Sequence, residues 1–191
     1  MALQPWEDRP RPDQGDKRSI TTFAAVGRAL TQWEYLEAKL AELFGALVGS
    51  EPGEMGSIST DPAARAFGAV LGSANRITMI EEAAKAHFRL YPDSTLEKRL
   101  LTFTSTELRH FSGKRDNIAH GIVESFFSKR SNSLKLGYWL IPSYYATKKY
   151  KLDGIRAYAY TAAEIDYFAK QFDRLWIEAD ALVSAIAKQR A

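Results

Sequence analysis

The chain contains no cysteine. That absence removes a disulfide framework, a thiolate nucleophile and every cysteine-based zinc or iron–sulfur site together. Only three histidines are present, so imidazole chemistry has few places to reside. There is no G-x-x-x-x-G-K-[ST], no G-x-G-x-x-G, no G-x-S-x-G and no H-E-x-x-H. Nucleotide hydrolysis, dinucleotide redox and zinc proteolysis therefore have no support. No run approaches the roughly 18 to 20 apolar residues of a membrane span, and the first residues lack the apolar core of a signal peptide. A cytoplasmic protein without a membrane partner is expected. Neither charge is in large excess, since 26 Lys and Arg against 23 Asp and Glu leave only +3.

What is present is an ordinary globular composition, 46% hydrophobic and 26% charged over 191 residues, enough chain to bury a core unaided. Three of the seven prolines fall within the first twelve residues, so 1–19 is expected to be a disordered arm and 20–191 a single domain. Helical spacing begins at Thr21. Phe23, Val26, Leu30, Trp33, Leu36, Leu40, Leu43 and Leu47 advance by threes and fours, which predicts a helix to about Val48 with Gly49 as its stop. Asp61 and Pro62 start a second helix carrying Phe67, Val70, Leu71, Ile77, Ile80, Ala84 and Phe88. Ser94 and Glu97 read as a capping box for a third, striped by Leu96, Leu100, Phe103, Leu108 and Phe111, which stops at Gly113 or continues to Gly121. Thr161 and Glu164 form a second capping box ahead of a last helix with Ile165, Phe168, Phe172, Leu175, Trp176, Ala179, Leu182 and Ile186 on one face. Between these, 122–127, 134–141 and 155–160 are short runs rich in aromatic and β-branched residues. The expected fold is mainly α, an antiparallel four-helix bundle with a small antiparallel β insertion at about 122–160, between the third and fourth long helices.

The three histidines differ in their surroundings. His87 lies beside Phe88 and reads as a partly buried or surface residue without a catalytic role. His110 follows Glu107 at the Glu-x-x-His spacing of di-iron bundles, but neither Ala84 before His87 nor Asn117 before His120 supplies the second copy such sites need. No metal or other cofactor is expected. His120 closes the run Lys114-Arg115-Asp116-Asn117-Ile118-Ala119-His120-Gly121, and Arg115 and His120 are the only pair in the chain at Arg-x4-6-His spacing. Phe111, Arg115, Ile118 and Ile122 are spaced by four, three and four, so Arg115 would lie on the apolar stripe. A charge there needs a partner or a function.

Arginine, four residues, then histidine, late in the third helical segment and filled by Asp-Asn-Ile-Ala, resembles the Arg-x4-6-His motif of the HEPN superfamily, the higher eukaryote and prokaryote nucleotide-binding domains. The resemblance covers roughly 20–122 and 161–190, outside the β insertion. It implies a small helical bundle and a metal-independent endoribonuclease, with Arg115 and His120 supplied by both chains of a homodimer, and a role as a toxin, held by an antitoxin protein, or in defence. Cleavage of RNA by its own 2′-hydroxyl needs a proton acceptor, a proton donor for the leaving 5′-oxygen and positive charge on the phosphorane-like transition state. Two histidines can divide the proton transfers, and two guanidiniums can bind the phosphate through their planar forks. Asp116, one turn before His120, can orient its imidazole, and Asn117 can donate to a phosphate oxygen or anchor the turn. Active members often carry a polar amide directly after the arginine, where this chain has Asp116. A non-catalytic HEPN-like dimer that binds RNA or a partner protein, and an unrelated helical interaction protein, are the alternatives.

The insertion carries the charge. From Lys129 to Arg156 seven basic residues face one acid, a net +6 that leaves −3 for the rest of the chain. Tyr138, Trp139, Tyr144, Tyr145 and Tyr150 are interleaved with them, a pairing that suits stacking on single-stranded RNA. Lys148, Lys149, Lys151, Arg156 and Tyr150, together with Lys114 beside the motif, are the candidate RNA-binding residues. The competing expectation is a hairpin whose lysines guard its edges and whose aromatics pack on the helices.

Overall fold

A computed structural model describes residues 10, 12–50, 61–130, 133–143 and 158–190, with backbone alone at 126–130 and 133–136. The chain is mainly helical, with α1 (Ser19–Val48), α2 (Pro62–Ala69), α3 (Ser73–Leu90), α4 (Ser94–Thr102), a π-helical segment (Phe103–Leu108), α5 (Arg109–Ala119) and α6 (Ala162–Lys188). Between α5 and α6, β1 (Gly121–Arg130) and β2 (Ser133–Pro142) form a two-stranded antiparallel sheet. Two compact units result, one of 1–33 with 114–172 and the other of 34–113 with 173–191. The boundary falls inside α1, α5 and α6, so each of these helices contributes to both.

In the first unit the sheet register runs from Gly121 opposite Pro142 to Arg130 opposite Ser133. The third expected strand reduces, within the described residues, to one bridge between Leu140 and Tyr160. The same edge of β2 is met at Tyr138 by Asp16, whose amide and carbonyl both pair with it at 2.9 Å. The arm expected to be disordered is thus tied down at this point. The Asp16 carboxylate also accepts from the Thr22 hydroxyl and from the Ala162 amide, each at 2.7 Å, which satisfies a free N–H in the first turn of α6. The Thr161 and Glu164 capping box forms as the spacing predicts, Glu164 accepting from the Thr161 amide at 2.9 Å. Ile165, Phe168 and Phe172 of α6 are buried with Trp33, whose ring meets Phe172 edge-on at 5.0 Å. The start of α1 departs from its predicted stripe. Thr22, Ala25 and Ala29 are buried there, while Phe23 is 53% exposed. Small side chains occupy the inner positions, and the larger apolar ones stand to the side.

In the second unit the helix predicted from Asp61 is broken. Asp61 caps α2 through the Ala63 amide with Pro62 in the first turn, as expected, but Val70 is extended and Gly72 adopts φ +81°, a conformation that costs residues with a Cβ. Leu71, expected on the apolar stripe, is 84% exposed in that break. The cap of α4 sits one residue earlier than predicted, because Asp93 accepts from the Thr95 and Leu96 amides in place of a Ser94 box. Gly113 does not interrupt the third helical stretch, which continues to Ala119. Its stripe contains a step of five, from Phe103 to Leu108, which an α-helix would rotate out of line. The π-helical turns span that step, and both residues are buried. Gly49, at φ +78°, ends α1 as expected.

Two charged groups of this unit are perturbed. Burial pulls down the Lys39 ammonium, yet its bonds to Glu42 and Asp180 outweigh that and hold its pKa above the ordinary lysine value. The Glu178 carboxylate, 2.7 Å from Arg99, raises the guanidinium's pKa in the same sense.

Candidate functional site

Phe111 and Ile118 of α5 are fully buried, and Arg115 lies half-buried on the same side of the helix, as its spacing predicts. Its guanidinium is 3.3 Å from the carboxylate of Asp116, which is half exposed. Lys114 is half-buried beside it.

The helix then gives way to the sheet within one residue. The His120 amide still donates to the Asp116 carbonyl at 3.1 Å, and β1 starts at Gly121. This switch depends on close approach: a Cβ on Gly121 would stand 2.7 Å from Leu140 Cδ1 and 3.0 Å from the Asn117 carbonyl oxygen. That carbonyl is one of the four that end an α-helix without an internal partner. It accepts from the Tyr158 hydroxyl at 2.9 Å, and the Asn117 side-chain amide donates to the Tyr160 hydroxyl at 3.3 Å. The two tyrosine rings stack with centroids 4.9 Å apart. Of the two roles expected for Asn117, it fills that of anchor.

His120 is exposed, and its ring has no partner among the described residues. Around it Asn117 anchors, Ile118 fills the core and Gly121 permits the turn. The structure therefore gathers Arg115, Asp116 and Asn117 on the last turn of α5 and leaves His120 at its end, facing solvent. Continued at helical pitch, five steps would separate Arg115 from His120 by about 140° and about 7.5 Å of rise, which would not bring both onto one phosphate within a chain.

The other candidates fall elsewhere. Trp139, expected as a stacking face, is fully buried and belongs to the core, as do its strand neighbours Leu140 and Ile141, so both faces of β2 are covered there. Lys148, Lys149, Lys151, Arg156 and Tyr150 lie outside the described residues. The Glu107 carboxylate is taken by Arg174, and the His110 ring packs edge-on against Phe111 at 5.3 Å. His87 is a core histidine, bonded through Nε2 to Gln189 at 2.9 Å. Sequence reasoning missed Tyr158 and Tyr160 as supports of the motif, since it placed them in a third strand. No family model, no curated protein and no solved structure matches the chain. Among the described residues no helix is long and apolar enough to cross a membrane.

Proposed function

We propose that the chain is a HEPN-like four-helix protein of the cytoplasm that dimerises and cleaves RNA without a metal, as a toxin or defence nuclease. The observation that carries this reading is His120, exposed and with its ring unengaged among the described residues, at the end of a run whose Asn117, Ile118 and Gly121 all have structural work. One His120 takes the proton of a ribose 2′-hydroxyl as that oxygen attacks the phosphorus. The other protonates the departing 5′-oxygen, leaving a 2′,3′-cyclic phosphate and a 5′-hydroxyl. Arg115 from each chain carries the charge that grows on the phosphoryl oxygens. A second chain is needed because Arg115 and His120 of one chain diverge. Lys114, Lys148, Lys149, Lys151, Arg156 and Tyr150 would grip the flanking RNA, and an antitoxin protein would restrain the enzyme.

The test is cleavage of a mixed RNA pool in EDTA by the purified protein and by His120→Ala. Cutting by the first alone supports the reading; cutting by both, or by neither, removes it. A single 2′-deoxy substitution at the cut position should stop the reaction. One observation favours a binding module over an enzyme: Asp116 sits beside Arg115 and offsets the charge a phosphate would meet. Such a module would bind RNA with strong salt dependence and leave it intact.

A further inference from the structure

We propose that Tyr158 and Tyr160 are positioning residues for His120, a clamp that fixes the turn on which the histidine stands. The inference rests on the ribonuclease reading for its effect on rate, but its effect on the turn can be observed without RNA. Both hydroxyls converge on Asn117, Tyr158 on its main-chain carbonyl and Tyr160 on its side chain. The Asn117 carbonyl lies at the point where the helical ladder ends, so the Tyr158 hydroxyl replaces the bond that the chain gives up on entering β1. A clamp must itself be held, and this one is. The rings are 7% and 3% exposed and stack on each other, and Tyr160 meets Phe168 edge-on at 5.2 Å. Behind them Tyr160 exchanges backbone bonds with Leu140 at 2.8 and 2.9 Å. Two residues further on, Ala162 is fixed by Asp16. Leu140 also packs against Gly121, so the same strand residue buttresses the clamp on one side and the turn on the other. The His120 ring has no partner of its own among the described residues, so its direction follows from Asn117 and Gly121.

The experiment uses the full chain and two variants that keep the stacked rings, Tyr158→Phe and Tyr160→Phe, with Tyr35→Phe at an exposed position as reference. Amide hydrogen exchange at 117–121 and the imidazole chemical shifts of His120 are read by NMR, and cleavage kinetics are read beside them. The clamp predicts that each variant accelerates exchange at His120 and Gly121 about fivefold, as expected for one lost hydrogen bond. It also predicts that the His120 imidazole signals move. With an RNA substrate kcat falls about tenfold, while KM stays within about twofold. Exchange and imidazole signals that match the reference in both variants would overturn the clamp, and so would altered signals with an unchanged kcat. If the unmodified protein does not cut RNA, the ribonuclease reading fails alone, and the two NMR readouts decide the clamp.

Discussion

The guanidinium of Arg115 lies 3.3 Å from the carboxylate of its neighbour Asp116, and the pair stands half-exposed on the last turn of α5. An arginine on the buried side of a helix is normally engaged, and here a carboxylate next in the chain engages it. On the proposed function, Asp116→Asn should therefore strengthen RNA binding at low salt by about two- to fivefold, the range of an exposed ion pair. Fluorescence anisotropy with a labelled oligonucleotide, at two salt concentrations, checks the size and its decline with ionic strength.

On the proposed ribonuclease function, His120 should separate stability from activity. Its ring is exposed and bonded to nothing among the described residues, so His120→Ala should change unfolding free energy by less than about 0.5 kcal/mol. Urea unfolding followed by circular dichroism measures this, and RNA cleavage by the same sample should be absent.

Gly121 behaves in the opposite way. A Cβ there would meet Leu140, a side chain 1% exposed, and the backbone carbonyl of Asn117. Gly121→Ala should cost about 1–3 kcal/mol, visible as an earlier urea midpoint. A midpoint equal to the parent's would mean that the turn tolerates a side chain.

The π-helical segment predicts a tolerated deletion. Removing exposed Ser105 shortens the step from Phe103 to Leu108 to four, so a regular α-helix would keep both residues on the buried face. The variant should retain its helical circular dichroism and melt within a few degrees of the parent, whereas deleting a residue from the regular helix at Lys98 should rotate the following turns out of register and lower the melting temperature sharply.

Lys39 sets an alkaline limit. Its pKa is raised in the folded protein, so its contribution is complete below the unfolded value, near 10.4, and is lost as pH climbs through the raised folded value. The parent should lose urea resistance above about pH 10.5 more steeply than Lys39→Met, which lacks that proton. Parallel curves for the two proteins from pH 9 to 11.5 would sink the assignment.

Much of this arrangement is legible in the residues themselves. Asp61-Pro62, Thr161 with Glu164, and the α6 stripe each state a local preference that tertiary packing leaves intact. The position of Arg115 between Phe111 and Ile118 could be read in the same way. Other features depended on competition that spacing does not express. Asp93 outcompeted Ser94 for the same amides, and Gly72 broke a helix whose apolar spacing ran on through Leu71. At the start of α1 the inner line went to Thr22, Ala25 and Ala29, because small side chains suit a close approach that hydrophobicity alone does not rank. Long-range partners were the least visible. Nothing near Asn117 announces that tyrosines 41 and 43 positions later will hold it.

The bond from the Ala162 amide to Asp16 joins residues 146 positions apart. A ribosome must therefore have made the chain at least through Ala162 before this bond can form, and Tyr158 and Tyr160 emerge only just ahead of that moment. The turn bearing His120 is thus among the last parts of the first unit to be completed during synthesis, and a nascent chain carries the histidine well before the two tyrosines that bond Asn117.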